Sequence, residues 1–393
     1  MDILELNSSL STIKPIPLEI FQPPTHLSGE TGTNRAAITV TKQIDANNDL
    51  HAIQTWLLEF THSPQTLRTY RKEAERLLLW AIIEKCKPFS SLSRDDLRDY
   101  QLFLADPQPQ QNWCGLRKPR NHPNWRPFIG SLTQDSIAHA ITIINALFNY
   151  LVEAGYLSGN PLGLMRRKLA KRINAKNKVT ERYLEKNCWD TVLHYIEHLP
   201  KETPREQKHY ERIRYLFYTL YLLSLRVNEV ATAMMRDIKQ VRGRWWITIT
   251  GKGQKTNQIP INDCFLKALI RYREFYQLPK LPSANEGNGL FMDITGSGSV
   301  SANMIYRLVK KTFLDCAKSI EKSNPDFSEK LKKASTHWMR HTSITHQADA
   351  GIELRYIKRN ARHESVETTM LYQHAEEEKW HDAMSLHQVN EKQ

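Results

Sequence analysis

The sequence predicts a mainly α-helical protein of two lobes, with a small antiparallel β-sheet in the second. Three observations carry this reading. Apolar residues recur at helical spacing in both halves, as in Leu67, Tyr70, Ala74, Leu77 and Ala81 of the first. One stretch breaks that period: W-W-I-T-I-T, then G-K-G-Q, then T-N-Q-I-P-I reads as two strands around a glycine-bearing turn. Between the halves, residues 164–178 hold Arg166, Arg167, Lys168, Lys171, Arg172, Lys176 and Lys178 without one acid, which marks a boundary. At 393 residues the chain is long enough for two domains, each with its own core.

Taken in order, residues 1–46 mix Ser, Thr and Pro with little periodicity and predict an irregular extension that packs or stays mobile. Residues 47–163 predict a helical domain. Ser63-Pro64 offers an N-cap and a first-turn proline, Ser93 with Asp96 forms a capping-box-like pair, and a helix from about Thr133 to Ala154 stops at Gly155. Arg68, Arg71, Lys72 and Arg76 fall largely off the apolar stripe and form a basic face, ordinarily a solvated one. Residues 107–130 form an insertion with five prolines, Trp113, Trp125 and a basic cluster at Arg117, Lys118 and Arg120. A loop this long builds no core alone. Docking of its tryptophans on the helices is favoured over contact with a ligand or a second copy. In residues 180–385, Ile213, Leu216, Phe217, Leu220 and Leu223 form a core-facing stripe that ends at Arg226. A polar, glycine-bearing connection at about 284–299 precedes further helices, and residues 386–393 form a tail.

Composition narrows the function classes. Lys plus Arg number 55 against 42 Asp plus Glu, a formal charge of +13, which suits a polyanionic partner. Charge alone leaves a merely basic soluble protein equally open. The longest apolar run, Leu77 to Ile83, is far too short for a membrane span, and the first residues show no signal-peptide pattern. Five dispersed cysteines without a C-x-x-C pair predict reduced, cytosolic thiols and argue against zinc.

Six polar residues stand inside distinct local patterns. They are Arg226 in L-S-L-R-V-N-E, Lys252 in T-G-K-G-Q-K, His337 and Arg340 in T-H-W-M-R-H-T, and His363 with Tyr372 in A-R-H-E-S-V-E-T-T-M-L-Y-Q-H. Two arginines, a lysine, two imidazoles and a late phenol are what phosphoryl transfer to a tyrosine oxygen requires. H-x-x-R or G-K-G alone is weak; the ordered set is specific, with Glu229 three residues after Arg226 and His363 nine before Tyr372. The set resembles the tyrosine recombinases, the phage integrases and Xer-type enzymes, well over residues 180–385 and more loosely before them. Two departures stand out. Ala361-Arg362-His363 replaces Leu-Gly-His, and Ser224 replaces a glycine shortly before the first arginine. A lost glycine matters where the backbone needs positive φ. Neither change removes a reacting group.

The resemblance implies a helical core-binding domain and an α+β catalytic domain forming a clamp around DNA, joined by a linker at 164–179 that runs along the duplex. It implies that Tyr372 attacks the scissile phosphate to leave a 3′-phosphotyrosyl bond. Arg226 and Arg340 clamp the non-bridging oxygens, Lys252 is the general acid, His337 assists proton transfer, and His363 holds the phosphate. Glu229 orients the first arginine or supports packing. Arg68, Arg71, Lys72, Arg76, Arg166, Arg167, Lys171 and Arg172 become DNA-binding candidates. Because one phosphodiester replaces another, no ATP, metal or other cofactor is required. The expected partners are double-stranded DNA at specific sites, a homo-tetramer on two duplexes, and accessory DNA-bending proteins. The implied function is integration or excision of a mobile element, favoured over a resident Xer-type resolvase because the N-terminal extension and the insertion exceed a minimal architecture. A type IB topoisomerase and a non-catalytic DNA-binding protein are the rivals.

Overall fold

The computed structural model describes residues 14–163, 182–251 and 256–362, and the chain divides into two compact units, residues 1–178 and 179–393. The linker residues Arg166, Arg167, Lys171 and Arg172 lie outside the described residues.

The first unit is built on helices α1 (Asp49–Leu58), α2 (Pro64–Ile83), α3 (Arg94–Ala105), the single turn α4 (Gln110–Trp113) and α5 (Gln134–Glu153). Their starts follow the local chemistry. The Asn48 side chain accepts from the His51 N–H, and Ser93 and Asp96 cap each other's backbone as a reciprocal pair. Helix α5 ends before Gly155, whose φ of +67° and close approach to the Thr41 carbonyl leave no room for a Cβ.

Residues 14–46 pack as an irregular segment with one 3-10 turn, Thr25–Leu27. Leu18, Phe21 and Leu27 join the core of this unit, and the Ala36 and Gln43 N–H groups donate to carbonyls of Tyr156 and Ala154. Asp49 fixes the arrangement from inside, its carboxylate accepting from the Ser90 backbone at 2.9 Å and the Tyr156 hydroxyl at 2.8 Å.

The insertion docks on the helices. Trp113 is fully buried and its indole N–H donates to the Glu84 carboxylate at 2.6 Å, while Phe128 and Trp113 pack edge-on against Phe103. Arg120 reaches both Glu19 and Glu75, so the insertion and the N-terminal extension share one ion-pair network over α2.

This network corrects the expected basic face. Arg76 is 6% exposed; its guanidinium pairs with Glu73 at 3.2 Å and donates to the Pro127 carbonyl at 2.8 Å. The insertion covers it, which removes it from the exposed basic face. Arg71 pairs with Glu19 at 2.8 Å and Lys72 with Glu73 at 2.8 Å, which leaves Arg68 the candidate that is exposed and makes no ion pair with a described residue.

In the second unit, helix α7 (Pro204–Leu222) is the hub, packing against α6 (Lys186–Glu197), α8 (Val227–Thr232), α9 (Asp263–Phe275), α10 (Ala302–Ile320) and α12 (Thr336–Asp349). Ile213, Leu216, Phe217 and Leu220 are all fully buried, as their spacing requires. Helices α11 (Pro325–Lys333) and α13 (Leu354–Ala361) complete the described set.

The sheet has the order β1 (Ile238–Val241), β2 (Arg244–Thr250), β3 (Thr256–Pro260), antiparallel throughout. Strands β2 and β3 are the expected hairpin, closing at Thr250↔Thr256. Strand β1 was not expected. It joins through the two-residue turn Arg242-Gly243, both at positive φ, as a tight hairpin demands. The polar connection at 284–299 is anchored by the buried Arg273, which pairs with Glu286 at 2.7 Å, and it delivers Leu290, Phe291 and Met292 to the core.

Candidate active site

The site grows from the end of α7. Ser224 stands at φ +49°, in the left-handed region where a glycine is at ease, and a side chain there costs roughly 1–2 kcal/mol. Its hydroxyl is buried against the Ser343 hydroxyl at 2.6 Å and accepts from the Gln347 amide at 2.9 Å. This turn aims the Ser224 carbonyl inward and starts the short helix α8 at Arg226.

Glu229, in the first turn of α8, accepts from the Arg226 N–H at 2.7 Å and from the Arg226 guanidinium at 3.0 Å. The carboxylate is 4% exposed, whereas the Arg226 side chain is 48% exposed. One buried acid therefore holds the base of an arginine whose head faces solvent.

Helix α12 brings the next pair. His337 and Arg340 are three residues apart and share a face. Arg340 is buried, and its guanidinium donates to the Ser224 and Ala361 carbonyls. It ties the first-arginine turn to the C-terminal end of α13. His337 sits one helical turn before His341, with 2.7 Å between their Nε2 atoms. Although the residue is exposed overall, crowding around its ring lowers its pKa, and the charges of Arg340, Arg182 and Arg226 lower it further. A neutral imidazole, able to accept a proton, results at neutral pH.

Arg362 completes the cluster. It caps α13 at φ +54°, the position where the lost glycine was noted. Its side chain is 4% exposed and bonds Glu229 at 2.6 and 3.3 Å, the Ser224 carbonyl at 3.0 Å and the Asn360 carbonyl at 2.6 Å. Burial works to raise the Glu229 pKa. The charge of Arg362, the Arg226 N–H and the charge of Arg226 outweigh it and hold the carboxyl below its usual range.

The structure thus brings Arg226, Glu229, Arg340 and His337 together and adds Arg362, whose side chain the sequence patterns did not single out. The signal for it was the missing glycine itself. Lys252, His363 and Tyr372 lie outside the described residues. Lys252 belongs to the connection between β2 and β3, and His363 directly follows Arg362. A cation-rich cluster of this kind suits the negative charge of a phosphoryl transition state.

Residues 183–379, half of the chain, match the profile of the phage integrase family. The chain belongs to this family: it is a tyrosine recombinase, an enzyme that breaks and rejoins DNA strands. Among its relatives, the tyrosine recombinase XerC of Chlorobaculum parvum is 25% identical over 300 residues, which cover 72% of this chain and 83% of that one. XerC of Pelobacter propionicus is 29% identical over 287 residues, covering 71% and 82%. Among solved structures, the XerH site-specific recombinase bound to its difH substrate aligns over 96% of this chain and 100% of its own, with a TM-score of 0.55 and 15% identity. The Tn1549 transposon integrase in complex with transposon right end DNA aligns over 82% and 94%, with a TM-score of 0.54 and 17% identity. At such identities these two establish the fold.

Proposed function

We propose that the chain is a site-specific recombinase that integrates or excises a mobile element through a 3′-phosphotyrosyl intermediate on Tyr372. The observation that carries this reading is the half-exposed Arg226 held from behind by a buried carboxylate, next to Arg340 and a neutral His337. Arg226 meets a non-bridging oxygen of the scissile phosphate. Arg340, fixed by two backbone carbonyls, supplies the second positive charge of the clamp. His337 exchanges a proton with the attacking or departing oxygen, Lys252 protonates the 5′-oxygen, and His363 hydrogen-bonds the phosphate.

Double-stranded DNA is the substrate, and the enzyme works in the cytoplasm at the nucleoid as a homo-tetramer on two duplexes. Accessory DNA-bending proteins are a compatible partner class. Arg68 on α2 and the tract with Arg166, Arg167, Lys171 and Arg172 contact the DNA backbone, which sets affinity and its salt dependence rather than sequence choice. The mobile-element role is supported by the packed extension and the docked insertion, which add to a minimal recombinase architecture.

The test is to trap the protein covalently on DNA, sequence the attached fragments, and supply two copies of the recovered site on one plasmid. Inversion or excision between the copies is the expected outcome. Relaxation of supercoils without exchange, on any sequence, would assign the chain to topoisomerase-like chemistry instead.

A further inference from the structure

We propose that Arg362 is a positioning residue of strand cleavage: through Glu229 and the Ser224 carbonyl it holds Arg226 in place and ties that turn to the C-terminal end of α13. The proposal rests on the recombinase reading above.

Three observations lead to it. First, the position is unfavourable for an arginine. Its backbone is left-handed, at φ +54°, where a glycine would fit without strain. An arginine kept there is doing something with its side chain. Second, that side chain is buried and all of its nitrogens are engaged: Nε and Nη2 on Glu229, Nη2 also on the Ser224 carbonyl, Nη1 on the Asn360 carbonyl. Third, the two positions that lack the family's glycine meet each other. Ser224 is also left-handed, and its carbonyl receives both Arg362 and Arg340.

The chemical consequence falls on Arg226. Without Arg362, the buried charge of Glu229 would lean more heavily on its other ion-pair partner, Arg226. The Arg226 guanidinium would be drawn down onto the carboxylate and away from the phosphate. With Arg362 in place, Glu229 is compensated from the buried side, and Arg226 makes a single guanidinium contact with it, through Nη1 at 3.0 Å. Arg362 also caps α13, so the clamp and the end of that helix share one support.

Replacing Arg362 by glycine separates side chain from backbone, because R362G relieves the left-handed strain while removing the guanidinium. Three measurements are made on the full chain: thermal melting, DNA affinity, and the single-turnover rate of adduct formation on a nicked suicide substrate at saturating protein. The expected result is a folded protein, affinity within about threefold of the parent, and cleavage slower by on the order of 10²-fold, the usual effect of misplacing one electrostatic donor. Guanidinium ion, added at millimolar concentration, restores part of the rate in R362G and leaves the parent unchanged. Adding E229Q to R362G slows cleavage by less than the product of the two single effects, because Arg362 acts in part through that carboxylate.

Parent-like cleavage by folded R362G overturns the proposal. So does an R362G chain that fails to fold, which would assign Arg362 to the fold rather than to the cleavage step. Absence of any adduct with the parent protein would instead strike at the recombinase reading.

Discussion

Two arginine networks, one in each unit, look alike on paper and differ in where they end. In the first unit, Arg76 and Arg120 bind Glu73, Glu19, Glu75 and the Pro127 carbonyl, and every link closes on another part of the same fold. In the second, Arg362 and Arg340 bind Glu229 and the Ser224 carbonyl, but the chain of contacts runs on to Arg226, whose head is open to solvent. Burial and pairing do not separate a structural arginine from a site arginine. Nor does exposure alone, since Lys72 on Glu73 is as open as Arg226 on Glu229; what sets Arg226 apart is that His337 and Arg340 converge on its turn.

This comparison can be broken at either end. Arg226→Ala removes the open terminus and should slow adduct formation by on the order of 10²–10³-fold, with modest loss of DNA binding. Near-normal cleavage by folded Arg226→Ala would reduce it to another structural cation. Arg76→Ala should do the reverse. Losing the buried guanidinium leaves Glu73 with the half-exposed Lys72 and the Pro127 carbonyl without its donor, and should destabilise the first unit by up to roughly 3 kcal/mol, read from urea unfolding. Cleavage per folded molecule should stay near the parent's, and a specific cleavage defect would contradict its assignment to the fold.

A smaller effect sharpens the electrostatics. In the free protein, the His337 ring should titrate below the ordinary histidine value of about 6.5, because crowding and three nearby arginines oppose a further positive charge. His337 therefore stays neutral as pH falls through that ordinary value and gains its proton below it. Proton NMR of the ring hydrogens gives the midpoint. A value at or above the ordinary one would mean that the cluster does not act on His337 as the geometry requires.

Much of this was legible in the chain, and the gaps have physical causes. Helix starts at Ser93 and Thr133, the buried stripe of α7 and the β2–β3 hairpin rest on local period and capping chemistry, which sequence carries directly. The grouping of Arg226, Glu229, His337 and Arg340 was visible because it follows a family pattern. Arg76 was misplaced because helical spacing puts it beside exposed neighbours, and only the tertiary path of residues 107–130 covers it. Arg362 was visible as a missing glycine and invisible as a contact. The dihedral it must adopt is local, but its partners Glu229 and Ser224 are more than a hundred residues away in the sequence. Trp113 of the insertion did dock on the helices, whereas Trp125 is buried against Arg120 of the insertion itself.

Recombination by this chain turns on covalent chemistry at one phenol. The direct measurement is to incubate the protein with a suicide duplex nicked beside the cleavage point, digest the trapped adduct, and map the peptide that carries DNA by mass spectrometry. The expected product is nucleotide attached through a phosphate to Tyr372, with its 3′-oxygen in the ester and a free 5′-hydroxyl on the released strand. Tyr372→Phe should bind the same duplex and form no adduct. Nucleotide on any other residue, or an undiminished adduct with Tyr372→Phe, would contradict it.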